Sequence, residues 1–139
     1  MTEPVIVKIK DWVAALRSGS YSQTAGALRT TTLGTEDLYK SYCCLGVACE
    51  LAGAFLPEEN TAVFISTGDI YVEDSGLLSG WAKDDLNAAV KDWATYCEEF
   101  DSQSFQDRLA GLNDSGDWTF NDIADFIEEW CDVEKELRF

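Results

Sequence analysis

Five cysteines, no histidine and 26 acidic residues are the raw material for chemistry in this 139-residue chain. Three of the cysteines fall in one apolar run, "YCCLGVACELAG" from Tyr42 to Gly53, with Cys97 and Cys131 far off in sequence. A thiol nucleophile needs a base to take its proton, and the imidazole that usually does so is missing. Ser-His-Asp and Cys-His arrangements are excluded on the same ground. A structural zinc site needs four converging ligands, yet no CxxC pair exists. On a helix, Cys43 and Cys49 would stand ~120° apart, and Cys44 and Cys49 ~140°, so they share no face. The run therefore reads as small buried cysteines in a core helix, and neither a metal nor a cofactor is expected.

"NDSGDWTFNDIA" places Asn113, Ser115 and Asp117 at the first, third and fifth positions of a calcium loop. The pattern then breaks, with Trp118 where a glycine must turn the chain and Ala124 where a bidentate carboxylate belongs. A simpler role is structural: Asn113 and Gly116 end one helix and Thr119 caps the next. No glycine-rich phosphate loop is present. A carboxylate pair could do acid–base work, but among 26 acids nothing selects one pair. Catalysis is left open, and no catalytic residue is assigned.

The acids are unevenly placed. Of the net charge of −16, residues 70–139 carry −13, with 18 acids against 5 bases. Asp122, Asp125, Glu129, Asp132 and Glu136 follow a 3-4-3-4 spacing that would set all five within about 80° on one continuous helix. Such a line repels itself, and no lysine interrupts it before Lys135. It is either a solvated polar face or a surface for a basic partner. These five residues are the candidate partner-binding set. Direct nucleic-acid binding is not expected, because the ten Lys and Arg are scattered singly.

The elements that must position these residues follow from periodicity. "VKIKDWVAALRSG" has Ile9, Trp12, Val13 and Leu16 at helical spacing. "SYSQTAGALRTTTLGTEDLYKSY" reads as a small hairpin or a long ordered loop, and "CCLGVACELAG" as a buried helix stopped by Gly53. "TAVFISTGDIYVED" predicts two strands about a tight turn at Thr67-Gly68-Asp69. "DDLNAAVKDWATY" predicts one helix through Leu86, Ala89, Val90 and Trp93, followed by a short helix in "SFQDRLAGL". In "TFNDIADFIEEWCDVEKEL" the last helix starts at Thr119, with Asp122 three residues on as in a capping box. It presents Phe120, Ile123, Phe126, Ile127 and Trp130 to a core.

The expected fold is α+β, four or five helices around a small antiparallel hairpin or sheet, in one compact domain over residues 1–139. No apolar segment approaches the ~20 residues of a membrane span, and no export signal precedes the odd number of cysteines. A soluble protein of a reducing compartment, with free thiols and no membrane partner, is expected.

Four pieces in order, "WVAALRSGSYSQTAGALR", "YCCLGVACELAG", "LNAAVKDWATY" and "LAGLNDSGDWTFNDIADFIEEW", resemble a family of small uncharacterised proteins of tailed bacteriophages and prophages. The resemblance covers most of the chain and is weakest between Phe55 and Asp84, where the insert Thr61–Glu73 is individual. It implies an accessory protein acting in the host bacterial cytoplasm, and carries no catalytic residue with it. On that footing the expected function is inhibition of a host protein with a basic surface, such as a defence-system or nucleic-acid-binding protein, with partial DNA mimicry as one route. The alternative is a protein that binds or sequesters a small molecule or nucleotide, with Trp81, Trp93 and Trp118 as walls. A small carboxylate-dependent enzyme is the weaker alternative.

Overall fold

The computed structural model describes residues 5–33, 38–55, 62–66, 69–73, 77–100 and 104–139. The fold is α+β, with six helices and three small sheets among these residues. Strand β1 (Ile6–Lys8) leads directly into α1 (Ile9–Arg17), whose buried residues are Ile9, Trp12, Val13 and Leu16, the four apolar positions of its sequence repeat. A short β2 (Ser22–Gln23) then precedes the hairpin β3 (Arg29–Leu33) and β4 (Leu38–Tyr42). In that sheet β4 is central, antiparallel to β3 with Thr31 opposite Lys40, and parallel to β2. Strands β5 (Ala62–Ser66) and β6 (Asp69–Glu73) pair antiparallel as expected. Residues 67 and 68 of the anticipated turn lie outside the described residues.

Helix α2 (Cys44–Ala52) is the centre of the core, with seven of its nine residues buried. A helix so largely apolar must be enclosed by protein, and this one is except at Glu50 and Leu51. Trp12, with no exposed surface, donates its indole N–H to the Cys44 carbonyl at 2.8 Å. Gly53 ends the helix in the left-handed conformation, φ 66°. The cysteines are core residues here: the Cys43 sulfur caps the helix by accepting from Gly46 N, and Cys44 Sγ donates to the Leu109 carbonyl at 3.6 Å. Burial pushes the Cys43 thiol up to about 11, and Cys44 and Cys49 well above their ordinary range.

Two helices replace the one predicted over residues 84–96. Helix α3 (Gly80–Ala88) stops, Val90 forms a bridge with Cys131, and α4 (Trp93–Phe100) starts anew. Asp92 starts it by accepting from Thr95 N at 3.1 Å and from the Thr95 hydroxyl. The break is stabilised by strand-like hydrogen bonds, Lys91 N to Trp130 O and Asp132 N to Ala89 O, both 2.9 Å. Helix α5 (Phe105–Asp114) follows its Ser104 cap.

Asn113, near the end of α5, is a buried fastener and not a cation ligand. Its Oδ1 accepts from Cys44 N at 3.2 Å and from Gln23 Nε2 at 3.0 Å, and its Nδ2 donates to the Thr24 carbonyl at 2.7 Å. One amide thus joins the start of α2, the loop before β3 and the end of α5. A buried amide satisfied on both ends specifies one arrangement of those three pieces.

Helix α6 (Phe120–Trp130) begins with the expected capping box, Thr119 Oγ1 accepting from Asp122 N and the Asp122 carboxylate accepting from Thr119 N. It ends about two turns earlier than the sequence spacing predicts. Cys131 is extended, residues 132–135 turn, and β7 (Glu136–Arg138) pairs antiparallel with β1, Leu137 opposite Val7. Burial of Leu137 and Phe139 beside β1 rewards a strand here. Apolar residues at 131, 133, 137 and 139 follow the period of two that a strand needs.

Candidate functional site

Because α6 stops at Trp130, the five-residue acidic line is not one helical stripe. Asp132 lies in the turn, where its carboxylate accepts from Glu134 N at 3.0 Å, and Glu136 opens β7. Asp122, Asp125 and Glu129 remain on one face of α6. They line a groove of about 330 Å³ together with Asp117, Trp118 and Phe126. Among the described residues the lining holds four carboxylates, two aromatic rings and no basic side chain.

Each wall is held by a local cause. The capping box fixes Thr119 at the helix start, so the two residues before it, Asp117 and Trp118, lie beside the first turn. Gln23 Nε2 anchors that segment by donating to the Trp118 carbonyl at 2.9 Å. The Trp118 ring stands at 89° to Phe126, centroids 6.0 Å apart, and the two form the aromatic corner of the groove. Behind it, Phe126 also meets Phe100, Phe105 and Trp130 within 6.4 Å. Edge and face contacts of this kind make a stiff floor.

The carboxylates differ in their commitments. Asp122 is tied to Thr119 through the cap. Asp125 accepts from Arg17 Nη2 at 2.5 Å, and the same guanidinium nitrogen reaches Glu128. That hydrogen bond holds the Glu128 carboxyl below the usual range and raises the Arg17 guanidinium further. No hydrogen bond or ion pair engages the side chains of Asp117 or Glu129 among the described residues. Those two are the charges left for a partner.

The sequence pattern missed Asp117, which precedes the helix and so lies off its wheel, and Glu128, which faces Arg17 and not the stripe. It also assigned Phe126 wholly to the core, whereas this ring forms the groove floor at 7 % exposure. Of the three tryptophans expected as pocket walls, Trp118 lines this groove. Trp81 instead lies under the Arg138 guanidinium, and Trp93 stacks on Tyr96. No group of three Cys, Asp or Glu converges to hold a metal ion among the described residues, and no described helix is long and apolar enough to cross a membrane.

The model of one family, a domain of unknown function designated DUF8296, matches residues 5–131. The chain belongs to this family. The DUF8296 span contains all six residues of the groove and ends before Asp132 and Glu136. No curated protein and no solved structure matches the chain.

Proposed function

We propose that this DUF8296 protein is a non-enzymatic binding protein that engages a basic surface of another protein through the acidic groove along α6. Four carboxylates, two rings and, among the described residues, no base in one groove fit a cation, and the net charge of −16, of which residues 70–139 carry −13, draws a basic partner. The resemblance to phage accessory proteins supplies a setting, the cytoplasm of an infected bacterium. There, a host protein whose Lys and Arg are arranged to hold nucleic-acid phosphates is the fitting target, and occupying that site inhibits it. Asp132 and Glu136 add charge at the periphery of this surface, outside the groove.

The double variant Asp117→Asn, Glu129→Gln removes the two charges that no internal bond uses and leaves the caps and the Arg17 pair intact. Affinity capture from bacterial lysate is compared for wild type and variant at 50 mM and 500 mM salt. A basic protein retained by wild type at low salt, released at high salt and lost by the variant is the expected result. Identical captured sets from the two proteins would refute the proposal.

A further inference from the structure

The groove combines two features that elsewhere in this molecule occur together around one kind of side chain. Arg138 lies with its guanidinium carbon 4.7 Å from the Trp81 ring, and donates from Nε and Nη2 to the two Asp85 oxygens at 2.9 and 2.8 Å. Arg29 lies 4.3 Å from the Phe55 ring and 3.7 Å from the Glu50 carboxylate. Both are aromatic–carboxylate sites filled by an arginine of the same chain. Asp125, one wall of the groove, already holds the guanidinium of Arg17, which does not itself line the groove.

We propose that the groove is an arginine-reading site, in which the guanidinium of one partner arginine stacks in the Trp118–Phe126 corner and donates to Asp117 and Glu129. The inference rests on the preceding reading and narrows its partner from a basic surface to an arginine-presenting one. A volume of about 330 Å³ is at the small end of ligand sites, suited to one long side chain and not to a nucleotide cofactor. A planar, weakly hydrated guanidinium can lie on an aromatic face while its edge donates to carboxylates in the same plane. A lysine ammonium is a compact, strongly hydrated point charge and uses only the carboxylates. Charge alone would not separate the two, whereas the aromatic corner does.

The probes are acetylated, amidated hexa-arginine and hexa-lysine peptides of equal charge, titrated calorimetrically into the intact protein at 150 mM salt. The hexa-arginine peptide is expected to bind about tenfold more tightly. Trp118→Ala should bring the two peptides within twofold of each other, while Asp117→Asn with Glu129→Gln should weaken both. The indole N–H resonance of wild-type Trp118 should shift on adding hexa-arginine and stay in place with hexa-lysine, a readout that stands even if Trp118→Ala does not fold. Equal affinities for the two peptides, or an indole resonance that does not respond to hexa-arginine, would overturn the arginine site. Salt-dependent binding of both peptides would in that case leave the acidic-surface reading standing, whereas no binding of either peptide at 20 mM salt would remove both.

Discussion

Replacing Gly46 by alanine sets helix propensity against packing. Within a helix, alanine is favoured over glycine by about 1 kcal/mol. At this position, however, an added Cβ would lie 1.7 Å from the Leu28 carbonyl oxygen and 2.6 Å from its carbon. Ordinary contact between carbon and such an oxygen is about 3.3 Å, so the two segments must separate by roughly 1.5 Å. The obstacle is backbone, and no rotamer change relieves it. Separation breaks the Cys43 N to Leu28 O hydrogen bond and disturbs Leu28, which is 1 % exposed. A lost internal bond costs about 1 kcal/mol and overpacking about 1–3 kcal/mol. After the propensity gain, Gly46→Ala should destabilise the fold by about 1–3 kcal/mol. Urea unfolding followed by circular dichroism should show the midpoint falling by about 1–2 M. A midpoint unchanged or raised would refute the close approach of the Leu28 backbone to α2.

Asn113→Ala strands the Cys44 N–H and the Thr24 carbonyl, and should cost about 2–3 kcal/mol in the same unfolding experiment. Thr119→Ala removes the capping box and should cost about 1 kcal/mol by thermal melting. The core cysteines should react slowly with a thiol reagent at pH 8 in the native state and rapidly in denaturant, and fast native labelling of Cys43 or Cys44 would contradict their burial. The Cys43 thiol ionises near 9.0 when unfolded and near 11 when folded, so its neutral form supports the fold below pH 9 and that support is lost as pH rises from 9 through 11. Melting temperature should fall across that window, and less steeply in Cys43→Ala.

Where local pattern and tertiary environment agree, the elements were readable from residues alone. The apolar spacing of α1 names its four buried residues, and Thr119 with Asp122 marks the start of α6 because a capping box is a local device. The errors fall where distant partners decide. Helical spacing runs unbroken from Leu86 to Trp93, but Val90 and Cys131 bridge across 41 positions and interrupt it. The same bridge, with the pull of β1 on β7, ends α6 before Asp132 and dissolves the five-acid stripe. Three of the groove's acids were therefore legible as one helical face, while Asp117 and Trp118 join them through a turn whose anchor, Gln23, lies nearly a hundred residues away. The role of Asn113 was hidden for the same reason, since its partners are in the first third of the chain.

The pairing of Ile6–Lys8 with Glu136–Arg138 has a consequence for the order of folding in the cell. The two strands are separated by about 130 residues, and closing a loop of that length costs roughly 4 kcal/mol of chain entropy before any contact repays it. A ribosome adding about 5–20 residues per second needs on the order of ten seconds to deliver the second strand after the first. Throughout that interval the backbone edge of Ile6–Lys8 has no partner strand, and the α1 end of the core lacks Leu137 and Phe139. The hairpins and the α2 neighbourhood can assemble before Glu136–Arg138 is made, whereas this seam closes only once that strand has left the exit tunnel. Until Glu136–Arg138 emerges, the edge of Ile6–Lys8 is thus exposed to proteases and to strand addition by other chains.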